Sequence, residues 1–239
     1  MDKIDLGHHI SRQFNEELEE IRSRVLAMGG MVEEQIHKAT QALVEGDVAL
    51  AEAVIKNDTS INNAEVNIDE ECTTIIARRQ PTASDLRLVI AVIKTITDLE
   101  RIGDQAERVA RMGIRLAESP NSKVSYMEIR HLGERVAHMV HDALDSFARM
   151  DVDAAINVAK EDQFVDVEYD GIMRQCYTYM LEDPHTITQM LDIMWTVRAL
   201  ERIGDHATNI CEYVIYLVKG KDVRHTSIEK MEKEALKSR

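Results

Sequence analysis

Apolar residues return every three or four positions along most of the chain, the period of helices that bury one face. The first run is Ile10, Phe14, Leu18, Ile21, Val25, Met28, Val32, Ile36, Ala39 and Leu43, and it predicts a long amphipathic helix closing near Gly46. A second helix is expected from about Asp47 to about Arg79, where Pro81 breaks it inside a polar turn. A third carries Leu88, Val92, Thr95, Leu99, Ile102, Ala106 and Val109 on one stripe. The polar segment Glu118–Lys123 reads as a linker. A fourth stripe holds Leu132, Val136, Met139, Ala143, Phe147 and Met150. A fifth helix runs from about Val152 to about Leu181 and is stopped by Pro184. The sixth carries Thr196, Leu200, Ile203, Ala207, Ile210, Val214 and Leu217 and ends at Gly220, a usual helix stop. The tail after Lys221 is charged and is expected to fray. No segment makes a persuasive strand.

Three helices, a linker and three more helices invite a search for a repeat. Leu99-Glu100-Arg101-Ile102-Gly103-Asp104 recurs letter for letter as Leu200-Glu201-Arg202-Ile203-Gly204-Asp205, 101 residues later. A second echo, Asp47–Asp58 against Asp151–Asp162, is identical at six of twelve positions and lies 104 residues apart. A turn three residues shorter near Pro184 would reconcile the two offsets. The expected fold is therefore all-α, two tandem sequence-related three-helix bundles over residues 1–118 and 119–220, with a charged tail over 221–239. Each unit can bury its stripes within its own bundle, and short connections favour antiparallel neighbours. Met190, Met194 and Trp195 are candidates for an apolar interface between the units.

Composition narrows the class. Three prolines and ten glycines leave no collagen-like or linker-rich architecture. With 43 acidic and 29 basic side chains the net charge is −14, which disfavours a broad nucleic-acid face or an anionic membrane surface. Cations, or proteins with basic surfaces, fit better as partners. Cys72, Cys176 and Cys211 are far apart in apolar helical contexts and read as buried thiols of a reducing compartment. The N-terminus lacks a basic segment followed by an apolar one, and no run approaches a membrane span of about 18 apolar residues. A cytoplasmic protein is expected.

Candidate chemistry lies in the repeated hexamer. Glu100 and Asp104, and again Glu201 and Asp205, stand four apart and so share a helix face. They sit about 100° from the core stripe, at the edge of the core or on the surface. A second acidic pair on the preceding helix is Glu65/Asp69 in the first half and Asp166/Asp170 in the second, at the 101-residue offset. The 104-residue offset would instead align Asn62 with Asp166. If these helices pack antiparallel, four carboxylates converge, a hard oxygen set suited to Fe, Mn, Mg or Ca. Each motif alone is equally what a solvated face with weak ion pairs looks like. Gly103 and Gly204 within helices imply close helix approach or a kink.

Other signals are thinner. His8-His9 stand at a helix start, and His131, His138 and His141 at helical spacing. His206 follows Asp205 but points elsewhere on the helix. The basic turn Arg78–Arg87 is either an ordinary loop or a contact for an acidic partner. No phosphate-binding loop, zinc-protease or nucleophile-elbow motif occurs, and no nucleophile stands in a defined setting.

The repeated LERIGD hexamers, the ARRQPTASDLR turn and the two three-helix repeats together resemble the PhoU family of bacterial phosphate-signalling regulators, over essentially the whole chain and closest to proteobacterial members. The resemblance implies two similar three-helix bundles. It also implies E(D)xxxD motifs that in some members hold multinuclear iron or zinc clusters. Carried over, these are Glu65/Asp69, Glu100/Asp104, Asp166/Asp170 and Glu201/Asp205, the third keeping acidic character with shorter arms. Members are not enzymes. They are cytoplasmic negative regulators of the phosphate-starvation response, adaptors between the ATPase subunit of the high-affinity phosphate ABC transporter and a membrane sensor histidine kinase. They restrain phosphate uptake, form homodimers or larger oligomers, and meet the membrane only through partners. A carboxylate-bridged iron protein, either a di-iron enzyme or a metal store, is the competing reading. Such bundles normally add a Glu-x-x-His pair, which neither half offers beside its hexamer.

Overall fold

Several helix ends fall where the sequence supplies a cap. The structure, a computed structural model, describes residues 12–118, 126–224 and 226–236. Helix α1 spans Arg12–Glu45 and gives way at Gly46, whose φ of 67° is easy only for glycine. Helix α2 spans Val48–Arg79, with the Asp47 carboxylate accepting from the Leu50 amide at 2.9 Å. Helix α5 spans Val152–Glu182, and Asp151 likewise accepts from the amides of Asp153 and Ala154. The second sequence echo thus begins each time with an N-cap that satisfies otherwise orphaned donors. Helices α3 (Ala83–Ala117) and α4 (Met127–Arg149) complete the first unit and open the second. A single 3-10 turn, Pro184–Thr186, leads into α6 (Ile187–Lys219), which stops at Gly220 with φ 69°. Most of the expected linker and the His8-His9 pair lie outside the described residues.

The two bundles do not keep separate cores. Helices α1–α3 pack on one another, as do α4–α6, but α3 also runs along α6 and α1 along α4. Side chains from all six, among them Val25, Ile61, Leu99, Val136, Val165 and Leu200, belong to one continuous apolar cluster. The order α2, α3, α6, α5 makes one layer, and α1 with α4 closes its inner side. Helices α3 and α6 run antiparallel, because Arg115 pairs with Asp192 while Asp98 pairs with Tyr213.

Two expectations need correction. Met190 is buried and Met194 packs partly against the core, but Trp195 is 55% exposed and stays at the rim of the contact between units rather than in its apolar interior. Its ring lies at the outer edge of the α3–α6 seam, beside Met112 and Arg115. The charged tail is not frayed over its whole length. Residues Ile228–Leu236 form a helix, α7, which lays Met231 and Ala235 on Val152, Ile156, Ala159 and Ile215. Two apolar residues four apart give it a burying face, and Lys160 pairs with Glu232 at its edge.

Candidate functional site

The glycine of each hexamer brings the preceding helix close. A Cβ on Gly103 would stand 3.3 Å from the Ile61 side chain and 3.5 Å from Asp58 Oδ1. A Cβ on Gly204 would stand 2.9 Å from Asp162 Oδ1 and 3.5 Å from Val165. Close approach, rather than a kink, explains both glycines. It also fixes the register. Ile61 answers to Val165 and Asp58 to Asp162, so α2 and α5 correspond at the 104-residue offset. Asp166 is therefore the counterpart of Asn62, not of Glu65, and Asp170 is the counterpart of Val66.

In the first repeat Glu65, Glu100 and Asp104 share the α2–α3 groove with Asp58. Burial pushes the Glu100 carboxyl up, and the charges of Asp104, Glu65 and Asp58 add to it. Burial also raises Glu65, against a hydrogen bond from Thr97 and the nearby Arg101; Asp69 and Asp104 push it further up. Asp104 is raised chiefly by burial and by Asp58. Asp69 is exposed and reaches this group only through its charge on Glu65. Asp58 itself is held by amides: Gln35 Nε2 donates to Oδ1 at 3.1 Å and Asn62 Nδ2 to Oδ2 at 3.0 Å.

The second repeat gathers Asp162, Asp166, Glu201 and Asp205. No amide replaces Gln35 here, and no side chain donates to Asp162 among the described residues. Burial, then the charges of Asp205, Asp166 and Glu201, push the Asp162 carboxyl up to about 7. Glu201 is buried; Arg198 donates to its Oε1 at 2.6 Å, and Oε2 has no hydrogen-bond partner. Burial is again the first cause of the raised Glu201 and Asp205, with Asp166 adding to both. Asp170 does not take part. It is exposed and lies 4.0 Å from Arg174, one turn along its own helix.

Whether these groups suit a metal can be read from their placement. Among the described residues no three of His, Cys, Asp and Glu are arranged to hold a metal ion. The carboxylates share grooves and repel one another without closing a ligand shell. As placed they do not fit a preassembled iron or zinc cluster. Of the histidines at helical spacing, His141 meets Glu33 at 3.1 Å and His138 lies 4.0 Å from Asp142, away from both carboxylate groups. In the basic turn, Arg79 is clamped by Glu17 through two hydrogen bonds of 2.9 and 2.6 Å, so this arginine is spent on holding α2 to α1.

The residues that the sequence reading passed over lie on the seam. Asp98 is buried on α3 and accepts three hydrogen bonds from α6: His206 Nδ1 at 2.7 Å, Asn209 Nδ2 at 3.1 Å and the Tyr213 hydroxyl at 2.7 Å. A carboxylate one residue from Leu99 in an apolar stripe was the available signal.

The family model described as the PhoU domain matches the chain twice, over residues 25–112 and 129–214. The chain belongs to the PhoU family. A Pseudomonas putida protein named as a phosphate-specific transport system accessory protein PhoU homolog is 54% identical over 98% of this chain and 91% of its own length. The Escherichia coli (strain K12) protein named as phosphate-specific transport system accessory protein PhoU is 48% identical over 98% of this chain and 96% of its own. The crystal structure of PhoU from Pseudomonas aeruginosa superposes with a TM-score of 0.85 at 55% identity, covering 87% of this chain and all of that one. The phosphate transport system regulatory protein PhoU from Streptococcus pneumoniae superposes at 0.82 with 29% identity, over 88% of this chain and 99% of that one. The two PhoU-domain matches bracket the two carboxylate clusters, one in each. No described helix is long and apolar enough to cross a membrane.

Proposed function

We propose that this PhoU-family chain is a non-enzymatic accessory protein of phosphate-specific transport that restrains uptake and represses the phosphate-starvation response. Relatives named as accessory proteins of phosphate-specific transport align over nearly all of both chains, and this end-to-end similarity is the observation that carries the reading. In the finer form of the proposal it is a cytoplasmic adaptor. One helical face meets the ATPase subunit of the phosphate ABC transporter and another meets a membrane sensor histidine kinase. A change in transporter conformation then shifts the kinase equilibrium through the shared contact, by as much as the adaptor's affinities for the two states differ. The chain acts as a homodimer and touches the membrane only through these partners. The continuous core supports this mechanism, because a rotation of one repeat must drag the other. No step runs through a metal.

Deletion of the gene tests the reading. Alkaline phosphatase should then be expressed in phosphate-replete medium, and a plasmid copy should restore repression. Repression that persists in the deletion strain overturns it.

A further inference from the structure

The outer side of the α3–α6 seam carries a row of arginines in a strongly acidic protein. Arg101, Arg108 and Arg115 stand seven residues apart on α3, so they share one face over about 21 Å of helix. On α6, Trp195 and Arg202 are also seven apart and occupy the facing stripe. Arg101, Arg108 and Arg115 are exposed, and Arg108 and Arg202 form no ion pair among the described residues. Trp195 stands over an open groove of about 640 Å³ beside Met112 and Arg115. Among the described residues no other helix covers this side. Helix α2 touches α3 but not α6, and α5 touches α6 but not α3.

We propose that this seam is a docking groove for an acidic amphipathic helix of a partner protein, with Trp195 as its apolar anchor and the arginine row as its charge register. The charge pattern selects the occupant. Carboxylates wall the row: Asp104 and Glu107 line the groove together with Arg108, Arg111 and Arg115, and Glu201 and Asp205 stand beside Arg202. A uniformly charged polyanion wider than the row meets repulsion from both walls. A helix with one acidic stripe does not. Exposed arginine–carboxylate pairs contribute only about 0.2–1 kcal/mol each, so they set register and steer encounter. Tryptophan and arginine are among the residues enriched at the energetic centres of protein interfaces. This deepens the adaptor reading by naming a partner surface. The test is a solution measurement whose failure is separate from that of the gene deletion.

Trp195 is the chain's one tryptophan, so its fluorescence reports this groove alone. The full-length protein is titrated with a synthetic helical peptide that carries a glutamate stripe beside a leucine stripe and no tryptophan. A scrambled peptide of the same composition is the control. The expected result is a saturable blue shift with the first peptide only, weakened by added salt. The Arg108→Glu/Arg202→Glu variant should bind about tenfold more weakly at unchanged helicity and melting temperature. Arg115 is left in place because it holds the nearly buried Asp192. Equal binding by this variant, or no spectral change, overturns the proposal. So does a larger response to inorganic polyphosphate than to the peptide. Emission that depends on protein concentration and ignores the peptide assigns the groove to a second copy and overturns it as well.

Discussion

The Tyr213 hydroxyl donates to Asp98 Oδ2 at 2.7 Å, tying the last third of α6 to the middle of α3 across 115 residues of sequence. The same carboxylate receives His206 and Asn209. This node lies in a seam otherwise lined largely by apolar side chains, so it specifies how the repeats sit on each other. Asp98→Ala strands two buried donors and the half-buried Asn209 amide at once and should cost about 3–5 kcal/mol in urea unfolding. Tyr213→Phe, which removes one donor and keeps the ring, should cost about 1 kcal/mol. A double-mutant cycle between Asp98→Asn and Tyr213→Phe should give a coupling of at least about 0.5 kcal/mol. Additive losses would show that the hydrogen bond contributes nothing of its own.

The second carboxylate cluster predicts a direction for stability against pH. The Asp162 carboxyl is raised to about 7 in the fold, above its ordinary value of 3.8. Between those values the folded protein holds a proton that the unfolded chain releases. Stability therefore falls as pH rises from about 4 to about 7 and is lowest above that window. Glu212, also pushed up to about 7 by burial, adds to the same slope. Asp162→Asn should raise the urea midpoint at pH 8, leave it nearly unchanged at pH 4 and flatten part of the slope between. After allowance for water reaching the groove, the gain at pH 8 is about 1–2 kcal/mol. A variant no more stable than the native protein at pH 8 would contradict the placement of these four carboxylates.

Much of this was legible in the chain. The helix ends follow from Asp47, Asp151, Gly46 and Gly220, each marked by its own local chemistry. Glu100/Asp104 and Glu201/Asp205 were visible because a hexamer recurs intact. The register of the partner helices was not. Two echoes at two offsets leave Asp166 with two candidate counterparts, and only the contacts at Gly103 and Gly204 choose between them. Asp58 and Asp162 close the twelve-residue echo, yet nothing local says that they face the hexamers. Trp195 was misplaced for a different reason. Its size and apolarity argue for burial, but its amphipathic ring also suits the wet rim of a groove.

The hexamer glycines should respond differently to the same substitution. Alanine in a helix gains about 1 kcal/mol over glycine. At Gly103 the new Cβ meets Ile61 at 3.3 Å, a contact that a small shift relieves, so Gly103→Ala should be within about 1 kcal/mol of neutral. At Gly204 it meets Asp162 Oδ1 at 2.9 Å, forcing that carboxylate toward its acidic neighbours. Gly204→Ala should therefore lose about 1–2 kcal/mol. The loss should shrink when combined with Asp162→Asn. Equal effects at both glycines in chemical denaturation would mean that the repeats pack alike at this point.

Metal removal is the last test, and its outcome follows from ligand geometry. A tight structural metal stabilises the fold by mass action, about 2.7 kcal/mol when its concentration is a hundredfold above Kd. For a chain of this length that is a shift of about 5–11 °C in melting temperature. Neither carboxylate cluster presents three ligand groups in place, so rearranging one would draw on the binding energy. Dialysis against EDTA should change the melting temperature by less than about 2 °C, and so should later addition of ferrous iron or zinc. A shift in the larger range would show that the ion itself assembles the shell. Its loss in Glu201→Gln/Asp205→Asn, but not in Glu100→Gln/Asp104→Asn, would place that shell in the second repeat, where Glu201 Oε2 has no hydrogen-bond partner.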